Sequence, residues 1–422
     1  MLRIAVFQGC SKLWNMRFYK IALVLVIIAG VVGLSIAENI DRVIIHNSGT
    51  IIPKITAKSG YWRDIQDAIN IAASHGISEV YIPEGAWNFV NVNESWTGAR
   101  VVIPAGVSLF GAPTERYENG SVKEWKTILI MPWDMPGDNS WNPPHWFKIQ
   151  GNSDPTKPSR FSDIKLVGYR EIDHNSTQIY RGIVVESVIN FRIDHCYFRH
   201  IPEGIAVRGH YCCGVIDHNV FDNVYGWHGG TVWANRTIGY GIAVDRTVYY
   251  ETEWPNLQDI LGKYTNFTVF IEDNVFTRWR HCTVGNSGAH FVFRHNIVVG
   301  GCAMNEVDQH PRYPGQEPYV PCRAGEVYEN EFLNPEQAGI CIYLFAGGGV
   351  YFNNTLVGYG QFLYTADTSW GDMVNPKDIY IWNNNIGSAN LYGGSAQVGT
   401  EVFFYQPSWY TPYPYPHPLT SP

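Results

Sequence analysis

The densest group of cationic side chains in this sequence lies between Arg278 and Arg323, and several acids are interleaved with it. Its cationic members are Arg278, Arg280, His281, Arg294, His295, His310, Arg312 and Arg323; the acids are Glu306 and Asp308 within it and Glu326 just after it. Imidazole exchanges protons near neutral pH, and guanidinium groups bind carboxylates. Together they predict proton transfer beside a bound anion. This is what β-elimination from an acidic sugar requires, because a cation must neutralise the uronate carboxylate while a base removes the C5 proton.

Individual roles follow from the residue types. His281 and His310 are candidate bases, and Asp308 is expected to orient His310. The candidates for holding substrate are Arg280, Arg294 and the neighbouring Trp279. The Asp308-Gln309-His310 group leaves the repeat register and lies in a proline-rich loop, where functional sites are common. The alternative is that Arg278, Arg280 and Arg294 are solvated and that His295 is structural.

A repeat would have to position these groups. Six-residue segments with a polar centre recur along the chain, such as IDHNVF from Ile216 and IEDNVF from Ile271. The recurring central positions are Cys196, Asn219, Asn274, Asn296, Asn330, Asn354 and Asn385, with a base spacing of 22–24 residues plus insertions. This period predicts a solenoid. Asparagine tolerates turns and its amide can bond the coil above, so a ladder along a parallel β-helix is expected.

An amphipathic helix precedes the repeat. Between Tyr61 and His75, apolar residues recur at helical spacing, with Asp64 as a candidate N-cap and Gly76 as a candidate C-cap. The predicted buried face consists of Ile65, Ala68, Ile69 and Ala72. We expect this helix, over about residues 62–75, to cover the open end of the solenoid core, where strand edges would otherwise be unpaired.

The repeat resembles the pectin-lyase-like superfamily of right-handed parallel β-helices. The opening IQDAINIAASHGISEVYIPEGAW is similar to the first segment of many members, and the resemblance covers roughly Ile65 to Ile386. It implies an all-β, right-handed parallel β-helix solenoid with an N-terminal capping helix. The superfamily contains lyases, hydrolases, phage tailspikes and binding proteins, so it implies no single activity.

Two stretches resemble the pectate lyases more specifically. GIVVESVINFRIDHCYF, residues 182–198, is similar to the family segment ending in WIDHC, which implies calcium binding by Asp194 with Glu186 nearby. Arg181 stands where the family usually has another acid. The residues from His310 to Pro314, followed by Arg323, resemble the RxPxxR motif. This implies that Arg312 abstracts the proton and that Arg323 binds substrate, although eight residues separate Pro314 from Arg323 where the family has about two.

Tryptophans add a possible sugar-binding signal, because apolar sugar faces stack on aromatic rings. Those between predicted elements are Trp133, Trp141, Trp146, Trp227, Trp233, Trp254 and Trp279. The alternative is that these rings pack loops onto the solenoid.

Composition excludes several classes of protein. Of 422 residues, 45% are hydrophobic and 16% are charged, which excludes a disordered chain and a coiled coil. The 41 glycines and 14% aromatic residues favour strands and turns. A net charge of -8 without a basic block argues against nucleic-acid binding.

The amino terminus predicts export. The apolar run from Ile21 to Leu34 follows Arg17 and Lys20, so residues 1–37 read as a signal peptide. An uncleaved anchor is the alternative, but the run is short of the roughly 20 residues that span a bilayer. We therefore expect a secreted or cell-surface protein with no membrane span after cleavage. Sequons at Asn93, Asn119, Asn175, Asn235, Asn266 and Asn353 would suit a glycoprotein.

Cysteine usage leaves an odd number after export. Of eight cysteines, Cys10 lies in the signal and seven remain. Cys302 and Cys322 flank one loop and are candidates for a disulfide. The alternative interpretation of Cys196, Cys282 and Cys341 is that they are buried small hydrophobic residues.

The sequence thus predicts a signal peptide (1–37), one β-helix domain (38–400) and a Pro/Tyr-rich extended tail (401–422). The leading hypothesis is an exported protein that cleaves or binds an acidic polysaccharide, with a pectate-lyase-like β-elimination and calcium as the enzymatic version. The alternative is a non-catalytic, cell-surface glycan-binding or structural β-helix protein. No convincing pair of carboxylates supports hydrolysis.

Overall fold

The computed structural model describes most of the chain after the predicted signal peptide. The residues described are 54–118, 120–133, 143–151, 154–169, 180–209, 211–223, 239–245, 256–300, 305–311, 320–335, 339–366 and 376–420, together with the backbone of an antiparallel pair, β1 (Ile44–Ile45) and β2 (Ile51–Ile52). The predicted signal peptide, Cys302 and Arg312 lie outside these residues. No helix in the described ranges is long and apolar enough to cross a bilayer.

Three long parallel sheets run along the described part of the chain, and each complete coil contributes one strand to each of them. In the described part of the chain, sheet 1 has twelve strands: β3 (Lys54–Thr56), β4 (Glu79–Tyr81), β7 (Ser108–Phe110), β10 (Ser159–Ser162), β13 (Ile189–Asp194), β16 (Cys213–Asp217), β19 (Thr268–Glu272), β22 (His290–Arg294), β25 (Ala324–Tyr328), β28 (Gly348–Phe352), β31 (Ile379–Trp382) and β33 (Val402–Phe403).

The other two sheets complete each coil. Over the same residues, sheet 2 consists of β5 (Gly85–Asn88), β8 (Thr127–Ile130), β11 (Ile164–Val167), β14 (Tyr197–Arg199), β17 (Val220–Asp222), β20 (Val275–Thr277), β23 (Ile297–Val299), β26 (Glu331–Leu333) and β29 (Thr355–Val357). Sheet 3 consists of β6 (Ala99–Pro104), β9 (His145–Gln150), β12 (Arg181–Glu186), β15 (Glu203–Arg208), β18 (Tyr240–Asp245), β21 (His281–Gly285), β24 (Val307–Gln309), β27 (Ile340–Leu344), β30 (Gln361–Thr365) and β32 (Asn390–Gly394). The predicted right-handed parallel β-helix is confirmed.

The first helix, α1 (Trp62–His75), packs against strands at the start of the solenoid. Its buried residues are the four predicted ones, Ile65, Ala68, Ile69 and Ala72. Gly76 ends it in the left-handed conformation, with φ of 67°. Asp64 does not cap the start, because Tyr61 occupies the N-cap position and the Asp64 carboxylate accepts a hydrogen bond from Ser59 Oγ at 2.5 Å. The helix thereby covers the open end of the core, as the sequence predicts.

The interior of the solenoid is filled by stacked apolar side chains. The rings of Phe198, Phe221 and Phe276, one from each of three successive strands of sheet 2, stack with centroids 4.7 Å apart at each step. Each coil therefore buries its apolar face only against its neighbours, which makes stability a property of the stack.

An asparagine ladder runs along the turn between sheets 1 and 2. Asn274 Oδ1 accepts hydrogen bonds from both the backbone and the side-chain nitrogens of Asn219, at 3.0 Å each, and later rungs repeat the pattern. The sequence analysis placed the last rung at Asn385, and this is wrong: the last rung is Asn384. The residue before each rung, not the asparagine itself, takes the left-handed backbone: His195, His218, Asp273, His295, Glu329, Asn353 and Asn383 have φ between 51° and 58°.

The tail is extended and packs on the outer face of sheet 1. Tyr410 donates a hydrogen bond to Glu326 Oε2 at 2.8 Å, and the backbone nitrogen of His417 donates to Glu272 Oε1 at 2.9 Å. A short helix, α2 (Leu257–Ile260), packs with it in a second apolar cluster, and a 3-10 turn at Pro418–Thr420 ends the described chain. The C-terminal segment, residues 404–420, is therefore an integral part of the solenoid.

Candidate functional site

The candidate site is a group of three side chains on sheet 3. His281 opens β21, Asp308 lies in the middle of β24, and His310 follows the end of β24. Strands β21 and β24 are parallel neighbours, with Val284 in register with Asp308. Because alternate residues of a strand face the same side, Asp308 and His310 project together. We call His281, Asp308 and His310 the histidine–aspartate cluster.

The cluster is compact and nearly dry. Asp308 Oδ2 lies 3.1 Å from His310 Nε2 and 3.6 Å from His281 Nε2. His281 and Asp308 are 0% and 1% exposed, whereas the side chain of His310 is 10% exposed. Substrate would therefore meet His310 first, with Asp308 and His281 behind it.

One hydrogen bond fixes the proton of His281. Its Nδ1 lies 2.7 Å from the backbone oxygen of Asn305, which can only accept, so Nδ1 carries the hydrogen when the ring is neutral. Its Nε2 then presents a lone pair toward Asp308. Neither this Nε2 nor Asp308 Oδ1 has a hydrogen-bond partner among the described residues. The cluster can therefore take up a proton.

Burial pushes all three groups toward their neutral forms. It lowers the pKa of His281 well below its usual value, and the nearby charges of Arg280 and His310 lower that pKa further. It also lowers the pKa of His310, against the opposing effect of Asp308. Burial raises the pKa of the Asp308 carboxyl despite the cations around it. Neutral imidazoles are bases, so at neutral pH the cluster is ready to accept protons.

Arg280 and Tyr240 flank the cluster. Tyr240, at the start of β18, is in register with His281, and their ring centroids lie 5.4 Å apart. The Arg280 guanidinium lies 5.7 Å from the centre of the Tyr240 ring, and both residues are half-buried. Arg280 thus supplies a positive charge at the edge of the cluster, where an anionic group of a substrate would be stabilised.

The cluster is also the group of possible metal ligands found among the described residues. One ligating atom from each of His281, Asp308 and His310 lies within 4.8 Å of the others. Two imidazoles and one carboxylate suit zinc and other transition metals better than calcium, which prefers oxygen ligands. The adjacent Arg280 opposes any bound cation, so the electrostatics of the cluster favour an anion beside it.

Asp194 and Glu186 do not form the calcium site that the family resemblance implies. Asp194 lies in sheet 1, fully buried, with Arg160 2.6 Å from Oδ2 and Arg192 3.6 Å from Oδ1. Although burial alone would raise its pKa, these ion pairs and His195 lower it. Glu186 lies in sheet 3 and pairs with Lys148 and Arg208. The two carboxylates are therefore on different sheets, each already engaged by cations.

Arg294 and Trp279, both expected to hold substrate, are buried structural residues. Arg294 is 0% exposed, pairs with Glu272 at 2.7 Å and donates to the backbone oxygen of Tyr413. It therefore anchors the C-terminal segment. Trp279 is also 0% exposed and packs edge-on against Phe221, with centroids 6.4 Å apart. Neither side chain is accessible to a polymer in this structure, because Arg294 is covered by the C-terminal segment and Trp279 lies in the core of the solenoid.

Arg323 and Arg312 do not complete the cluster. Arg323 precedes β25 on sheet 1 and lines a separate cavity, together with Lys377 and Trp409. The backbone nitrogen of its neighbour, Cys322, donates to the backbone oxygen of His310 at 3.1 Å, so the cavity and the cluster lie on either side of one corner. Arg312 lies outside the described residues and its role stays a prediction.

The tryptophans predicted to bind sugar are packed against the core where the structure describes them. Trp146 is fully buried and stacks on Phe89 with centroids 4.8 Å apart, and Trp133 packs against the core. Trp141, Trp227, Trp233 and Trp254 lie outside the described residues.

The six cysteines within the described ranges are free thiols: Cys196, Cys212, Cys213, Cys282, Cys322 and Cys341. Cys322 Sγ accepts a hydrogen bond from Gln309 Nε2 at 3.5 Å and lies 3.7 Å from Ala289 O. Cys322 is therefore a free thiol, and its predicted partner, Cys302, lies outside the described residues. Burial of Cys196, Cys282 and Cys341 agrees with their reading as small core residues.

Sequence reasoning missed Tyr240 and Asp245, both on β18. Burial lowers the pKa of His310, and the charge of Asp245 partly opposes that lowering, while the Tyr240 ring lies beside that of His281. The coil that contains them lies in the 55-residue interval between the rungs Asn219 and Asn274, where the local repeat motif is missing. The YGIAVD strand resembles EGIAVR from Glu203, and this internal similarity was the signal available.

No protein-family model matches the chain, and no curated protein is similar to it in sequence. Among solved structures, the Dettilon tailspike protein matches with a TM-score of 0.44 at 12% identity, covering 79% of this chain and 64% of its own. The A-module of the Azotobacter vinelandii mannuronan C-5 epimerase AlgE4 matches with a TM-score of 0.45 at 13% identity, covering 83% and 96%. An alginate lyase from a Paenibacillus species gives 0.38 at 10% identity, covering 83% and 99%. At these identities the likeness concerns the fold alone.

Proposed function

We propose that this protein acts on an acidic polysaccharide and that the histidine–aspartate cluster carries out a β-elimination. The observation that supports this most directly is the placement of two neutral imidazoles around Asp308, next to the positive charge of Arg280. A base beside a cation is what abstraction of a proton next to a carboxylate needs.

The proposed step assigns a role to each group. Arg280 binds the uronate carboxylate and stabilises the negative charge that develops when the C5 proton leaves. His310, the most exposed member of the cluster, takes that proton, and Asp308 holds its ring through the 3.1 Å contact to Nε2. The C4–O4 bond then breaks, a C4=C5 double bond forms, and the departing oxygen takes up a proton. The products are an unsaturated uronate end and a new reducing end.

The test is an absorbance assay for unsaturated ends. Wild-type protein is incubated with polygalacturonate, alginate, glucuronan and similar polymers, with and without calcium. We expect Asp308→Asn and His310→Gln to lower kcat by about 10²–10⁴-fold, the usual contribution of a positioned acid or base. The control is His75→Gln, on the exposed side of α1, which should not change turnover. No absorbance change across the whole panel would remove the lyase proposal.

The pH dependence gives an independent check. Burial lowers the pKa of both His281 and His310, so each ring stays neutral, and able to accept a proton, below pH 6.5. We expect activity to persist at pH values under 6.5 before it falls. The pH is lowered stepwise from the neutral range. If activity is already lost before the pH falls below 6.5, a cluster histidine is not the base.

A second candidate function is glycan recognition without cleavage. The exposures of His281 and Asp308, 0% and 1%, favour it over cleavage, because side chains so deeply buried suit a structural network better than contact with a reacting polymer. Glycan binding that survives Asp308→Asn, with no turnover by wild type, would support this candidate.

Export and calcium dependence also belong to the proposal. N-terminal sequencing of secreted protein tests the first, and the calcium arm of the assay tests the second.

A further inference from the structure

A cavity of about 410 Å³ lies where β25, β28 and β31 of sheet 1 begin, around the corner from the histidine–aspartate cluster. Its volume falls within the roughly 300–1,000 Å³ that small-molecule sites occupy. Helix α2 forms one wall, and Trp409 from the C-terminal segment forms another. Three parts of the chain that are remote in sequence therefore enclose it.

The charged groups in this cavity are mostly positive. Among the described residues that line it, Arg323 and Lys377 are the cations and Asp378 is the single acid. Asp378 acts electrostatically on Arg323, so these described residues leave one positive charge in excess. In a chain whose net charge is -8, a cavity with two cations is suited to an anion, and a guanidinium matches the geometry of a carboxylate.

An aromatic ring stands at the mouth of the same cavity. Trp409 is 37% exposed and meets the Tyr380 ring edge-on at 5.7 Å. The next residue, Tyr410, donates to the buried Glu326 at 2.8 Å, which holds this part of the C-terminal segment on sheet 1. The Trp409 ring is thus presented at a fixed position, where the apolar face of a sugar ring can stack on it.

The wall opposite is closely packed. A Cβ built on Gly348, the first residue of β28, would lie 2.0 Å from the backbone oxygen of Lys377 and 2.7 Å from a methyl group of Leu257 in α2. The segment that carries Lys377 and the helix α2 are therefore in tight contact through this glycine. This part of the cavity wall is therefore closely packed.

We infer that this cavity binds one acidic sugar unit, a uronate, with its carboxylate at Arg323 and Lys377 and its ring against Trp409. The inference rests on the proposed function, because it names a second contact for the same class of polymer. The hydrogen bond from Cys322 to His310 joins the cavity wall to the strand end that carries the cluster, so a polymer crossing this corner reaches both. The cavity is then an ancillary binding site that retains the polymer beside the cluster.

Binding is tested in a background that cannot turn substrate over. Asp308→Asn protein is titrated by calorimetry with trisaccharides of galacturonate, guluronate, mannuronate and glucuronate. Lys377→Gln and Trp409→Ala are then added separately to that background. Each should weaken binding of the preferred trisaccharide by at least about tenfold, because Lys377→Gln removes a charged contact to the carboxylate and Trp409→Ala removes the ring on which the sugar stacks. Lys263→Gln, an exposed lysine just after α2, is the matched control and should bind as its parent does.

The outcomes separate this inference from the proposed function. Unchanged affinity in both cavity variants, or no binding of any of the four trisaccharides, would overturn the inference. Turnover by wild type is measured separately and decides only the lyase proposal. If binding depends on Lys377 and wild type shows no turnover, the uronate-binding role of the cavity is supported and the lyase proposal is refuted. Circular dichroism and the melting temperature of Lys377→Gln, a surface change, exclude misfolding as the cause of weaker binding.

Discussion

Glu306 offers the sharpest test of the structure, because it is a carboxyl group sealed inside the solenoid. It is 1% exposed and directly precedes β24, the strand that carries Asp308. Tyr359 donates to its Oε1 at 2.9 Å, and Cys282 Sγ donates to its Oε2 at 3.3 Å. Burial outweighs these two hydrogen bonds and raises the pKa of Glu306 from 4.5 to about 7. The described surroundings therefore favour a neutral carboxyl.

The size of the effect follows from linkage. The folded state binds the Glu306 proton more tightly than the unfolded chain does, so this contribution to stability is complete below pH 4.5 and is lost as the pH rises through 7. Each pKa unit corresponds to about 1.36 kcal/mol, so wild type should lose about 3 kcal/mol of unfolding free energy between pH 4.5 and pH 8 from this group alone. Glu306→Gln keeps the shape and cannot ionise, so it should lack that loss.

Urea titrations at several pH values measure this. The difference in unfolding free energy, Glu306→Gln minus wild type, should rise by about 3 kcal/mol from pH 4.5 to pH 8. The exposed Glu331, on the neighbouring β26, supplies the control: Glu331→Gln should follow wild type at every pH. A difference that stays constant across this range would show that the carboxyl is not held in a medium that resists its ionisation, and the packing described for this coil would be wrong.

Three further predictions concern the ladder, the C-terminal segment and acid stability. Asn296→Ala removes an Oδ1 that accepts two hydrogen bonds from the preceding rung, so we expect urea titrations to show a loss of about 3 kcal/mol in the free energy of unfolding. Asn384→Ala, at the half-buried last rung, should lose less. Tyr410→Phe removes the hydrogen-bond donor to Glu326 and should lower the free energy of unfolding by about 1 kcal/mol. Amide hydrogen exchange should become faster only in residues 404–420, and faster exchange in all three sheets would contradict this prediction. Burial lowers the pKa of His417 from 6.5 to about 4, so stability should fall as the pH drops from 6.5 to 4, and His417→Gln should flatten that dependence in thermal melts.

The proposed site was partly accessible to sequence reasoning. The sequence groups Arg280, His281, Asp308, His310, Arg312 and Arg323 as residues that could come together on adjacent coils. The first four do lie together, because β21 and β24 are neighbouring strands on successive coils. Arg323 lines a separate cavity and Arg312 lies outside the described residues. The spacing of a solenoid converts distance along the chain into contact between coils. Residues of the right chemical type that are about one coil apart in sequence therefore indicate a possible shared site.

The failures share one cause. Arg294 and Trp279 have the residue types of substrate-binding groups, but both are 0% exposed, one paired with Glu272 and the other packed on Phe221. Whether an arginine faces solvent or a buried acid depends on what covers its strand. Here the cover over Arg294 is the C-terminal segment, more than a hundred residues away in sequence.

By itself the sequence determined the coil period, the asparagine ladder and the buried face of α1, since each is written in local spacing that repeats. It also located most of the histidine–aspartate cluster. Only the tertiary structure decided which charges are buried under the C-terminal segment. It also brought Arg323, Lys377 and Trp409 to one cavity and set the direction in which burial shifts the pKa values of the cluster. These outcomes depend on desolvation and on partners from distant coils, and neither is encoded in the identity of a residue and its immediate neighbours.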